Sequence, residues 1–130
     1  MTLMVMGCAA QMRSSKGWDY LKQNNNEAAI TEFKTAIEDN PLPGSYGGLY
    51  KAYLNLSDYE NAWESLEDGL KRFPEDKFLN FAAGDFHLKF TKNYDLSIFY
   101  LKKAQEKLSH PSIDKSLREA ERLKAESELK

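Results

Sequence analysis

Residues 29–36 read AITEFKTA, residues 62–69 read AWESLEDG and residues 97–104 read SIFYLKKA. Each stretch has a small residue, three residues, a bulky apolar residue, two residues and a second small residue. The three sets are Ala29, Phe33, Ala36; Ala62, Leu66, Gly69; and Ser97, Leu101, Ala104. The copies are offset by 33 and 35 residues, an average of 34. Pro41 and Pro74 follow the first two copies at the same distance, while Ser109 holds that place in the third and Pro111 follows it. Steps of four and three return to one side of an α-helix, whereas a strand alternates at two. A fixed period of this size marks a stack of repeated units.

Upstream of each copy lies another helical stretch, from about Ala10 to Gln23, Ser45 to Leu56 and Lys77 to Phe90. Short polar breaks separate the helices of each pair: Asn24–Asn26, Ser57–Asp58 and Thr91–Asn93. Asn24 with Glu27, and Ser57 with Glu60, have the spacing of a reciprocal N-terminal cap. Proline at 41, 43 and 74 ends the second helix of a pair. In the tail from Pro111 to Lys130, Ile113, Leu117, Ala120 and Leu123 make one narrow apolar stripe. A stack of this kind needs such a helix, polar on its outer side, to cover its last apolar face. The reading is an all-α solenoid of three helical hairpins plus a C-terminal capping helix.

These residues resemble tetratricopeptide repeats, whose pattern is W-x2-L-G-x2-Y…A-x3-F…P over about 34 residues. In the first copy Gly17, Tyr20, Ala29, Phe33, Ala36 and Pro41 match. In the second, Tyr46 stands in the tryptophan place, and Leu49, Tyr53, Tyr59, Ala62, Leu66, Gly69 and Pro74 follow. In the third, Ala83 and Gly84 take the L-G step, and Tyr94, Ser97, Leu101 and Ala104 carry the second helix. Arg13 and Lys16 depart from the pattern in the first copy, Tyr50 replaces the glycine in the second, and the third fits only with a one-residue slip. The expected layout is three repeats over residues 10–42, 43–76 and 77–109, a capping helix over 110–130, and a leader over 1–9.

The resemblance implies a concave groove lined by the first helix of each hairpin, which takes a partner's peptide or helix. Its places fall on Ser14, Trp18, Leu21 and Lys22; on Gly47, Lys51, Leu54 and Asn55; and on Phe78, Phe81, Asp85, Leu88 and Lys89. Aromatic anchors over a cleft are what binding hot spots are made of. Ser14 and Trp18 stand where carboxylate-clamping members of the family carry lysine and asparagine, which argues against chaperone-tail binding of that kind.

Composition narrows the remaining chemistry. The 18 basic and 20 acidic residues leave a net charge of −2, without the basic excess that binding of nucleic-acid phosphates relies on. One cysteine and two histidines exclude an internal disulfide and a Cys- or His-rich zinc site. Gly44, Gly47 and Gly48 lack the lysine and preceding strand of a phosphate loop, and His87 and His110 have no triad order. No catalytic residue, metal or cofactor is expected; the expected activity is non-enzymatic protein binding. The leader MTLMVMGCA is similar to the end of a bacterial lipoprotein signal, with Val5, Gly7 and the sole cysteine, Cys8, at the acylation junction. Its apolar run is short and lacks a basic start. Two readings follow: a protein lipid-anchored through Cys8 in the bacterial envelope, facing the periplasm or exterior, or a cytoplasmic protein whose leader extends the first helix. The second reading includes self-assembly as a homo-oligomer through the groove, the stack ends or a face at Leu96, Phe99 and Tyr100.

Overall fold

The computed structural model describes residues 2–130, with side-chain surroundings from residue 7 onward, so the Val5 and Met6 side chains of the leader lie outside the described residues. The described residues form seven α-helices and no strand. They are α1 (Thr2–Lys22), α2 (Asn26–Asp39), α3 (Pro43–Asn55), α4 (Tyr59–Arg72), α5 (Lys77–Phe86), α6 (Tyr94–Lys107) and α7 (Pro111–Glu128); a π turn over His87–Thr91 follows α5. The all-α class and the helix pairs agree with the sequence reading. The first helix starts at Thr2 rather than near Ala10, so residues 2–9 continue its backbone.

The chain divides into two compact units, Met1–Gly69 and Leu70–Lys130. In the first, α1 packs on α2 and α3, and α2 packs on α3. Its core holds Ala29, Phe33, Leu49 and Ala52, with Tyr20, Leu21, Ile30, Ile37 and Tyr53 against it. In the second, α5 packs on α6 and α6 on α7. There Leu88, Leu101, Leu117 and Ala120 form the core, flanked by Phe81, Tyr94, Ile98 and Leu123. The small residues of the repeated phrase are fully enclosed, as are Phe33, Leu66 and Leu101 between them. Burying one such bulky side chain contributes about 1.5–3 kcal/mol.

The hairpin turns correct the expected caps by one residue. Asn24 and Ser57 are not N-caps; they sit at φ 59° and 58°, in the left-handed region. The caps are the next residues: Asn25 accepts from the Ala28 N–H at 3.3 Å, and Asp58 from the Asn61 N–H at 3.2 Å. Each cap also donates its own N–H back to the preceding helix, Asn25 to the Tyr20 carbonyl at 2.8 Å and Asp58 to that of Tyr53 at 2.9 Å. This six-to-one closure needs a left-handed residue between the two helices. The reversed chain therefore consumes one polar residue as the hinge and the next as the cap.

The third hairpin absorbs its slip differently. Nine positions separate Tyr20 from Ala29 and Tyr53 from Ala62, but ten separate His87 from Ser97. The extra residue is taken up by the π turn, whose wider ring accommodates one more residue per turn. Within it His87 Nδ1 lies 2.8 Å from Thr91 Oγ1. Lys92 then supplies the left-handed hinge at φ 55°, and Asn93 caps α6 by accepting from the Leu96 N–H at 3.1 Å.

Candidate functional site

In the first unit the groove places form a stripe on each of two neighbouring helices. On α1, Ser14, Trp18 and Lys22 recur every four residues; on α3, Gly47, Lys51 and Asn55 do the same. Buried on these helices are Ala10 and Gly17 of α1 and Ser45, Tyr46, Gly48, Leu49 and Ala52 of α3. A bond from Ser45 Oγ to Ser14 Oγ, 3.2 Å, links the two helices.

Along this surface Trp18 is 38% exposed, and its ring meets the enclosed Phe33 edge-on, with centroids 5.5 Å apart. That contact holds the indole upright from below while leaving part of it open. Lys22 and Lys51 are exposed, and neither makes an ion pair among the described residues. Leu21 and Leu54 are half-buried, the former against the Phe33 core. Asn55 donates through Nδ2 to Asn26 Oδ1 at 3.0 Å, tying the end of α3 to the first turn of α2. The neighbour of Gly47, Gly48, meets the core ring. A Cβ there would overlap Phe33, and Gly47 itself is half-buried.

Charge is divided between the helices of this unit. Helices α1 and α3 carry four basic residues and one acid, whereas α2 and the part of α4 up to Gly69 carry eight acids and one basic residue. The exception on the basic side, Asp19, lines a separate cavity of about 460 Å³ together with Met12, Arg13, Lys16 and Glu32. Arg13 also pairs with Asp39 at 3.1 Å. The segregation was visible in the letters, yet it emerges only when helices are sorted by their place in the hairpins.

The second unit treats its groove places otherwise. Phe78 is 62% exposed, with the Lys77 ammonium 5.4 Å from its ring centre. Phe81 is half-buried against the core, and Leu88 is buried within it. Asp85 is held from two sides: Ser116 of α7 donates to Oδ1 at 2.8 Å, and Lys89 pairs with Oδ2 at 3.2 Å. The capping helix thus contacts the third repeat's groove places, a role that no spacing within α7 announces.

Cys8 is exposed on α1. His87 is buried and stacked on Tyr100 with centroids 5.8 Å apart, and burial pushes its pKa below the ordinary 6.5. His110 caps α7, accepting from the Ser112 N–H at 3.2 Å. Among the described residues no group of three His, Cys, Asp or Glu could hold a metal ion, and no helix is long and apolar enough to cross a membrane.

No protein-family model matches the chain, and no curated protein sequence does either. Solved structures do. The Sgt2 TPR domain from Aspergillus fumigatus superposes with a TM-score of 0.82 at 17% identity, covering 93% of this chain and 82% of that one. The first TPR domain of human RPAP3 gives 0.82 at 17% identity, over 94% and 97% of the two chains. The TPR2AB domain of yeast Sti1, in its pHSP90 complex, gives 0.80 at 21% identity, over 94% of this chain and 50% of that one. The likeness shows the tetratricopeptide-repeat fold.

Proposed function

We propose that this tetratricopeptide-repeat fold serves as a non-enzymatic protein-interaction module that holds a peptide or helix of a partner on its groove-lining helices. The observation that carries the reading is Trp18, part-exposed and braced on Phe33 beside the open stripe of α3. A braced aromatic ring contributes contact area without losing much freedom on binding, so the partner bears most of the ordering cost. The Sti1 structure, a complex with pHSP90, supports a binding role for the fold. A photo-crosslinking residue in place of Lys51 tests it in cells. Protein adducts at Lys51, with none at the exposed Lys102 of α6, support the groove; equal labelling at both positions refutes it.

The proposal extends to attachment. Gly7 and Cys8 have the junction of an acylated terminus, and Cys8 is exposed. Acylation there places the module on an envelope membrane, facing the periplasm or exterior, since each buried methylene adds about 0.8 kcal/mol of membrane affinity. Intact mass of the native protein decides this: an acylated Cys8 terminus supports it, and an unmodified Met1 terminus refutes it. The alternative is a cytoplasmic homo-oligomer, favoured by Leu96 and Phe99, which are 39% and 54% exposed on α6. Sedimentation over a concentration series separates the two readings, a strict monomer excluding the oligomer.

A further inference from the structure

We propose that two copies of this chain pair through the outer side of α6, antiparallel and related by a twofold axis at Phe99. This rests on the oligomer reading above and names the surface, register and symmetry that it leaves open. Helix α6 is not a groove-lining helix, so the pairing stands apart from peptide binding.

The repeats supply their own comparison. Aligned on the small residues Ala29, Ala62 and Ser97, the place one residue earlier holds Ala28, Asn61 and Leu96. The place two residues later holds Thr31, Glu64 and Phe99. Only the third copy is large and apolar at both, and there both side chains stay open, 39% and 54% exposed. Single exposed apolar residues are ordinary on a monomer. A leucine and a phenylalanine one turn apart, where the other copies are small or polar, are not needed by the fold. The Phe99 ring also meets Tyr100 edge-on, with centroids 5.2 Å apart, which fixes how it is presented.

The surrounding charges select the occupant. Asp95, Phe99, Lys102 and Glu106 follow at steps of four, three and four, which keeps them on one stripe of α6. Lys92 lies in the hinge before the helix and lines one hollow with Asp95. The stripe therefore runs basic, acidic, apolar, basic, acidic. Turning a second copy about Phe99 sets Asp95 opposite Lys102 and Lys92 opposite Glu106, each pair twice, and brings the two Phe99 rings together. An isologous dimer requires a surface that complements itself in this way, whereas a different protein requires no such pattern. Lys92, Lys102 and Glu106 are exposed and make no ion pair among the described residues. Asp95 holds Lys124 at 2.8 Å through one oxygen and stays 77% exposed. A pairing of 14-residue helices belongs to the small end of specific interfaces, so association at micromolar concentration is expected.

Sedimentation of the intact chain over a concentration series tests this, with Phe99→Thr, Lys92→Glu and Glu106→Lys as variants. All three positions are exposed, so the variants keep the core. Phe99→Thr installs the first copy's residue and should weaken dimerisation about tenfold or more. Lys92→Glu and Glu106→Lys each set like charges opposite one another twice and should weaken it about threefold to tenfold. An equimolar mixture of these two should recover the parent's dimer, since each supplies the charge the other lacks. A dimer that survives Phe99→Thr would overturn the α6 surface while leaving the oligomer reading in place. One that is lost in Phe99→Thr but indifferent to the charge variants, or not recovered in the mixture, would overturn the antiparallel register. A strict monomer would overturn the pairing and the oligomer reading together, in favour of a different protein on this face.

Discussion

The ring of Phe33 occupies the space that a Cβ on Gly17 would need: the added atom would stand 2.7 Å from two ring carbons. Gly48, from the next hairpin, is pressed against the same ring, so Phe33 lies between two glycines 31 positions apart. This close approach lets α2 sit between α1 and α3 without separating them. Gly84 and Leu101 repeat the relationship in the second unit, where the Ser97 hydroxyl also donates to the Gly84 carbonyl at 2.8 Å.

Gly17→Ala and Gly48→Ala should each destabilise the chain by about 1–3 kcal/mol, the usual cost of forcing an atom into a filled core. Gly44→Ala is the contrast. Nothing lies within 4 Å of its Cβ position in the first turn of α3, and alanine there should add up to about 1 kcal/mol of stability. Urea unfolding midpoints of the three variants measure the difference in sign.

The hinges offer gains. Ser57 and Lys92 hold left-handed backbone at φ 58° and 55° without being glycine. Ser57→Gly and Lys92→Gly should each raise stability by roughly 0.5–1 kcal/mol, because a left-handed L-residue costs about 1–2 kcal/mol and glycine's added chain freedom offsets part of that. Thermal melts of the single and double variants test this, and a fall in midpoint would contradict the hinge assignment.

His87 makes stability depend on pH in a defined direction. Burial lowers its pKa below 6.5 in the folded chain, so the unfolded chain binds the proton more tightly. The stability from its neutral form is fully present above pH 6.5 and declines as pH falls below it toward the folded pKa. His87→Phe keeps a ring beside Tyr100 but cannot titrate. The decline in urea midpoint between pH 7.5 and pH 5 should therefore be shallower in that variant than in the parent.

The capping helix holds the third hairpin by packing more than by polar contacts. Leu117 is 8% exposed and shares a core with Leu88 and Leu101, so Leu117→Ala should cost about 2–4 kcal/mol. Ser116→Ala removes one hydrogen bond to the half-buried Asp85 and should cost about 1 kcal/mol. Amide hydrogen exchange resolves both effects, with faster exchange in α7 expected first.

Much of this was legible along the chain. The small–bulky–small phrase and the prolines announced the hairpins, and the slip before Ser97 was visible as a spacing one residue too long. The π turn that absorbs it was not, since a spacing says that a residue must be accommodated and not how. The caps fall one residue after Asn24 and Ser57, because both the hinge and the cap favour short polar side chains and only backbone angles separate the two roles. Gly48 packs on Phe33 while Gly47 stays on the groove stripe, a division that two adjacent glycines do not reveal until one is set against a ring.

The sequence by itself determined the helices, their pairing into three hairpins and the closing amphipathic helix, because periodicity and turn residues act over a few neighbouring positions. Tertiary structure decided which groove places stay open. Trp18, Lys22 and Lys51 face outward from the first unit, while Asp85 and Leu88 are engaged by a helix that begins only at Pro111. The physical reason is that openness belongs to no residue alone. It depends on which distant side chain arrives to cover it, and packing chooses that side chain by shape.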